Sequence, residues 1–379
     1  MGIYLDHAST TSMSPRCFEA MRPWLTGAFG NASSMHEQGR KARMAIEDAR
    51  DQVAKLLGCR GRDVIFTSGG TEANNLALRG CAMAWGKPGR FVVNPLEHSS
   101  VLETCQQLGR EGHELVWWAP DSRGRHTPDT LVSLLTGSPT LATVMLVNNE
   151  VGFSVDVPPI AKLCREKGVQ LHTDGVQAVG HVDVDFEKLG VDTLSLSAHK
   201  FGGPQGAGAL IARKEAKLAA VQRGGTHELG RRAGTENVAG AVGLAAALAE
   251  SVERLSSLRA HWQKCRAELE RELSQVPGVR FNSRHEDAVP HIVNATFANL
   301  QGETLILRLD MEGVSLSSGS ACHADKPEPS HVLKSLGLSN QEASTALRFS
   351  FGATTTLEEV VEAAKKVRAM VGALRGARA

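Results

Sequence analysis

The sequence predicts an α/β fold: a large domain on a mainly parallel seven-stranded sheet, plus a smaller α+β domain. Three observations carry the prediction. Seven short apolar runs alternate with helix-period segments from about residue 62 to 250. Most of these runs are continuously apolar, as expected for strands buried on both faces of a parallel sheet. A long helical pattern at 239–276 then leads into a remainder where the alternation stops.

The first strong helix is "SSMHEQGRKARMAIEDARDQVAKLLG". Ser34 and Glu37 have capping-box spacing, and Gly58 ends the helix. Ala42, Ala45, Ile46, Ala49, Val53, Leu56 and Leu57 line one face. The expected strands follow: "DVIFTS" (63–68), "RFVVNP" (90–95), "ELVWWA" (114–119), "TVMLVNN" (143–149), "VQLHTD" (169–174), "TLSLSA" (193–198) and "GALIAR" (208–213). Between them, "TEANNLALRGCAMAWG" and "PPIAKLCREKG" read as helices. Short strands are expected near 291–297 and 303–309, with a closing helix from about 357. These elements place the large domain at 15–250 and the small one at 1–14 and 251–379.

Composition removes several classes of function. Forty-two Lys and Arg against 41 Asp and Glu give a net charge of +1, so nothing electrostatic favours nucleic acid or a membrane surface. No apolar span of about 20 residues is present. The seven cysteines are scattered and form no CxxC, which argues against a disulfide framework or a thiolate metal site. No metal is expected, and a reduced cytoplasm fits this usage.

Ligands of open α/β sheets bind at the carboxyl ends of the strands, and polar residues gather there. Lys200, after an apolar strand and before glycines, is placed to form a Schiff base with an aldehyde. Asp174 could hold the protonated ring nitrogen of pyridoxal phosphate (PLP), and Gln177 could donate to the ring hydroxyl from the same turn. "TSGGTEANN" is a Gly-rich turn opening a helix, suited to a phosphate. His98 could stack on a ring or move protons, and Arg348 could clamp a carboxylate. Taken singly, each has an ordinary alternative: a turn lysine, a helix cap, a nucleotide turn, a loop histidine, a structural ion pair. Their occurrence on successive strand ends favours PLP.

These residues sit in a run of motifs: "YLDHASTT", "NASSMHEQG", "TSGGTEANN", "LEHSS", "NNEVG", "HTDGVQ", "SLSAHKFGGPQG", "RRAGTEN", "SSGSAC" and "RFSFG". In this order, over nearly the whole chain, they resemble the cysteine desulfurases of the class V aminotransferase superfamily. These are PLP enzymes of fold type I, and the match is to the long-loop branch that serves iron–sulfur cluster assembly. The resemblance implies that Lys200 carries PLP covalently, Asp174 pairs with its ring nitrogen, Gln177 bonds its ring oxygen and His98 stacks on it. It implies that Gly70, Thr71, Ser197 and His199 hold the phosphate, with Thr235 reaching in from the other subunit of a homodimer. Asn149, Arg348 and Asn31 would hold the carboxylate of L-cysteine. Cys322, on a loop at about 317–330, would take the sulfur as a persulfide and pass it to an acceptor protein such as an iron–sulfur scaffold, or to tRNA thiolation. A selenocysteine lyase, or another PLP aminotransferase or lyase of class V, is the alternative on this fold.

Overall fold

The computed structural model describes residues 2–121, 124–137, 139–283, 286, 288–318 and 329–376. They group into two compact units: Thr11–Leu146 with Val155–Arg254, and Met1–Thr10 with Val147–Ser154 and Leu255–Ala379. The short stretch 147–154 lies mid-chain in the sheet-forming sequence yet groups with the second unit. The division at 254/255 falls inside one long helix, Val238–Leu273.

In chain order the strands are β1 (Ile3–Tyr4), β2 (Val64–Thr67), β3 (Arg90–Val93), β4 (Glu114–Trp117), β5 (Leu141–Thr143), β6 (Gln170–Asp174), β7 (Thr193–Ser197), β8 (Gly208–Ala212), β9 (Val279–Phe281), β10 (Ile292–Phe297), β11 (Val314–Ser315) and β12 (Ala346–Ser350). In the first unit they form a seven-stranded sheet of order β2-β8-β7-β6-β5-β3-β4. Only β8 runs against its neighbours, β2 and β7. The carboxyl ends of β2, β3, β5, β6 and β7 therefore share one edge. The expected strand at 143–149 is displaced: β5 occupies Leu141–Thr143. The chain still runs beside β6 beyond it, through Val144 N–H to the His172 carbonyl at 3.1 Å and Leu146 N–H to the Asp174 carbonyl at 2.9 Å.

The second unit holds an antiparallel sheet, β12-β10-β9, and a parallel pair, β1 with β11. Its core gathers Trp262, Leu269, Phe297, Phe349 and Phe351, all buried. One expectation here is overturned. Residues 303–309 are not a strand but the core of a helix, Gly302–Met311. Its Leu and Ile content suggests a strand, but Leu305 and Leu309 are buried while Leu307 and Met311 are 67% and 79% exposed, which is helical spacing. Gly302 also fits closely at its start, since a Cβ there would lie 2.7 Å from the Ser344 carbonyl. Among the described residues, no helix is long and apolar enough to cross a membrane.

A second correction concerns the helix Glu37–Leu57. Its N-cap is His36, whose Nδ1 accepts from Gly39 N–H at 3.2 Å, so Ser34 and Glu37 form no capping box. Ser34 instead bonds the Asn31 carbonyl, and the 31–34 turn sits so tightly on the first helical turn that a Cβ at Gly39 would meet Ser34 oxygen at 2.4 Å. Gly58 does end the helix, in the left-handed region at φ 65°.

The same helix carries a buried ion pair. Arg50 meets Glu228 at 2.8 and 3.1 Å and donates to the Val64 carbonyl at 2.7 Å, while Phe66 N–H donates to Glu228 at 3.0 Å. The side chains are 6% and 2% exposed. Glu228 and Leu229 have φ of 47° and 56°, so this carboxylate holds a strained turn against β2. Glu228→Ala would leave the buried Arg50 guanidinium with only the exposed Glu47, at 3.3 Å, as its ion-pair partner and is expected to cost about 3–5 kcal/mol, read by urea denaturation.

Two buried histidines give the fold a pH dependence. Burial pushes His126 and His172 down to about 4 from an ordinary 6.5. Both are neutral in the folded chain and take up protons on unfolding at lower pH. The stability they contribute is intact above about pH 6.5 and lost as pH falls toward 4. The melting temperature should therefore fall from pH 7 to pH 5, with a shallower slope in His126→Gln.

Candidate active site

The Gly-rich turn follows β2 and opens the helix Gly70–Trp85. Among the described residues no side chain caps this N-terminus, so its first N–H groups remain for a ligand. Glycine is required by close approach. A Cβ at Gly70 would lie 2.5 Å from Val176 Cγ2 and 3.6 Å from Ser197 Cβ, and one at Gly208 would lie 2.5 Å from Gly69 Cα. The turn is thereby pressed against both the 174–177 turn after β6 and the end of β7. Glu72 fixes it from behind, accepting from Ser68 N–H at 2.7 Å and pairing with Arg232 at 2.7 Å. Thr71 is exposed on the first turn.

Asp174 ends β6 with 2% of its surface exposed. One carboxylate oxygen accepts from Val176 N–H at 2.9 Å and the other from Asn74 Nδ2 at 2.7 Å. Asn74 is the hub of a buried network. Its amide also donates to Ser100 Oγ at 2.8 Å, and its oxygen accepts from Ser195 Oγ at 2.5 Å and His172 Nε2 at 3.0 Å. Gln177, 4% exposed, lies in the same turn as Asp174. Glu97 is fully buried, with Thr143 Oγ1 donating to it at 2.8 Å. Burial, reinforced by the nearby Asp174 charge, pushes it well above the usual carboxyl range.

His98 caps the helix Ser99–Arg110. Its Nδ1 accepts from Ser100 N–H at 3.1 Å and pairs with Ser100 Oγ at 2.8 Å. A backbone N–H can only donate, so the proton of the neutral ring sits on Nε2. The cap and the proposed ring contact are thus compatible, because the cap uses Nδ1.

Ser197 closes β7, and His199 and Lys200 follow in a single 3₁₀ turn. Asp174 pairs in register with Ser195 on β7, so the carboxylate and the lysine stand on adjacent strand ends. Burial, with Lys200 as the next cause, pushes His199 down to about 4, leaving it a neutral hydrogen-bonding group. Its carbonyl is held by Thr11 N–H at 2.9 Å and Thr11 Oγ1 at 2.7 Å. Thr235 lines a cavity of about 190 Å³ with Thr67, Ser68, Gly206 and Arg232 of its own chain. Asn31 is exposed, and its side-chain oxygen accepts from Ser33 N–H at 2.9 Å.

Arg348 and Asn149 lie in the second unit. The Arg348 guanidinium is 3% exposed and donates to the Asn149 carbonyl at 2.9 Å, so the two residues form one assembly. Cys322 lies outside the described residues. The other six cysteines are reduced, and burial raises every one of their thiols.

Asn74 escaped sequence reasoning. The available signal was a polar residue on the buried face of a helix, flanked by Ala73, Leu76 and Ala77, all buried. A buried amide there must be bonded, which marks it as a partner of something polar on the sheet.

Comparison with known proteins places this geometry. An aminotransferase class-V family model matches residues 3–362. The chain is 41% identical to cysteine desulfurase IscS of Dictyoglomus turgidum, over 94% of this chain and 91% of that one. It is also 41% identical to putative cysteine desulfurase IscS 1 of Bacillus subtilis, over 97% and 98%. Among solved structures it superposes on a NifS-like protein with TM-score 0.92 and 33% identity, covering 98% and 100% of the two chains. It superposes on SspA in complex with cysteine with TM-score 0.81 and 32% identity, covering 92% and 98%. A Gly-rich turn opening a helix, a buried carboxylate and a strand-end lysine on a fold shared with these enzymes lead to one conclusion: the chain belongs to the class-V aminotransferases, a PLP-dependent family, and within it to the cysteine desulfurases.

Proposed function

We propose that the chain converts L-cysteine to L-alanine, with the sulfur held as a persulfide on Cys322 and passed to an acceptor protein in iron–sulfur cluster assembly or tRNA thiolation, in the cytoplasm. The observation that carries this reading is Asp174, buried at the end of β6 and bonded by Asn74, with Lys200 just past the neighbouring end of β7.

The residues present fit PLP. The approach that forbids a Cβ at Gly70 leaves backbone N–H groups of the helix start for a phosphate, with Thr71, Ser197 and neutral His199 as further donors. Bound there, the cofactor supplies an electron sink for the charge left when a proton leaves the substrate Cα. Asp174 would hold the proton on the ring nitrogen, and Gln177 would bond the ring oxygen. Lys200 Nζ, after carrying the cofactor, would take the Cα proton. His98 would stack on the ring and serve the substrate thiol through Nε2, the nitrogen its cap leaves for the proton.

Arg348, Asn149 and Asn31 would hold the substrate carboxylate. Cys322 thiolate would attack the substrate sulfur: an S–S bond forms, the C–S bond breaks with its electron pair left on the substrate carbon, that carbon and Cα each take up a proton, and alanine departs. Thr235 would serve the phosphate of a second copy in a homodimer. The first unit's exposed apolar residues, Phe29 at 77%, Met35 at 89% and Leu229 at 70%, support such an association.

Wild type should release alanine and sulfide in equal amounts from L-cysteine with a reductant present. Cys322→Ser should release neither while keeping its PLP absorbance. Turnover by that variant at the wild-type rate would refute the assignment of the nucleophile. Gly70→Ala, by forcing the phosphate turn off Val176, should weaken PLP binding to the apo-protein by roughly tenfold or more, measured by fluorescence titration.

A further inference from the structure

Arg348 holds more partners than a waiting ligand site needs. Besides the Asn149 carbonyl, its Nη2 donates to Asp6 Oδ1 at 2.7 Å and to Ser9 Oγ at 2.7 Å. Ser9 Oγ in turn donates to Asp6 Oδ1 at 2.9 Å, closing a three-membered ring of contacts. The arrangement is built into the backbone of one unit. Asp6 bridges to Ser350, two residues beyond Arg348 on β12, and Ser350 N–H donates to the Leu5 carbonyl at 2.8 Å. Ala8 N–H adds a bond to Ser350 Oγ at 2.8 Å. The Asp6 backbone is tied down further by Tyr4, whose hydroxyl donates to the Asp6 carbonyl at 3.1 Å.

A guanidinium carries five N–H donors in a rigid plane. Three are engaged here by Asp6, Ser9 and Asn149, which defines the plane completely. Of the remaining two, the one on Nε is buried and has no partner among the described residues. A buried donor without a partner is costly, and it points to a ligand acceptor. A carboxylate is the acceptor chemistry suited to a guanidinium. The side chains of Arg348 and Asp6 are 3% and 19% exposed, so the aspartate also supplies the counter-charge that lets this arginine stay buried before any ligand arrives.

We infer that Asp6 is a positioning residue for substrate: with Ser9 it fixes the plane of the Arg348 guanidinium, whose remaining N–H donors are left for the α-carboxylate of the amino acid. The inference rests on the reading of Arg348 as the carboxylate holder and adds the residue that aims it. Asp6 does not touch the reacting atoms. Its removal should therefore change binding and leave the chemical step alone.

The test uses the PLP-loaded enzyme and four variants: Asp6→Ala, Asp6→Asn, Ser9→Ala and Arg348→Ala. Asp6→Ala should raise KM for L-cysteine by roughly 10- to 100-fold with kcat within about twofold. It should weaken by the same factor the binding of L-alanine, which keeps the carboxylate but has no sulfur to lose, followed through the PLP absorbance. Asp6→Asn, which keeps an acceptor at the same place, should recover most of the loss. Ser9→Ala exposes no buried charge and should raise KM by a smaller factor, so it decides the matter if Asp6→Ala does not fold. Binding of L-cysteinamide, which lacks the carboxylate, should be weak in wild type and unchanged in Asp6→Ala. If Arg348→Ala raises KM while Asp6→Ala and Ser9→Ala leave it unchanged or lower it, the positioning role is wrong and the carboxylate site stands. If Arg348→Ala itself leaves KM and L-alanine binding unchanged, the carboxylate reading fails and takes this inference with it.

Discussion

An ionised carboxylate taken out of water at the end of a central strand costs several kcal/mol unless donors surround it. Asp174 is in that position, and the strand-edge chemistry depends on the donors that meet it. One is local, the Val176 N–H that its own turn supplies. The other, Asn74, comes from the helix that starts at the phosphate turn. That helix is therefore tied to β6 at one of its residues and pressed on Val176 at another, Gly70. The position of the turn and the position of the carboxylate are one structural fact. Ser100 extends the same connection to the His98 cap, so the segments that follow β2, β3 and β6 are joined by a single amide.

The constraint also explains why the neighbouring histidines are neutral. Burial keeps His172 and His199 uncharged at physiological pH and pushes the Glu97 carboxyl well above its ordinary range.

Much of this was legible in the sequence because it follows from local rules. The strands of a parallel sheet are apolar on both faces, and their carboxyl ends carry the site, so Asp174, Lys200 and the Gly70 turn could be placed before any coordinates. What could not be read depends on contacts distant in sequence. Residues 302–311 are rich in Leu and Ile, and only packing that buries Leu305 and Leu309 while exposing Leu307 reveals a helix. His36 caps the helix in place of Ser34, whose N–H instead closes a turn on the Asn31 carbonyl packed tightly against Gly39. Asn74 meets Asp174 across 100 residues, and Asp6 meets Arg348 across 342. No periodicity or short motif encodes such pairs. The resemblance to cysteine desulfurases supplied roles for Asp174 and Arg348 but not for the residues that hold them.

The cysteines show how burial narrows the chemistry further. A persulfide carrier must attack as a thiolate. Burial raises Cys17 and Cys265 to about 11 and Cys59, Cys81 and Cys164 to about 12, and it raises Cys105 as well. At neutral pH all six remain thiols, and five of them are packed in the interior as small apolar side chains. A sulfur acceptor also has to leave its cofactor-side partner and meet a second protein, which a side chain fixed in a core cannot do. The proposed role of Cys322 is the one the resemblance implies for the cysteine of "SSGSAC".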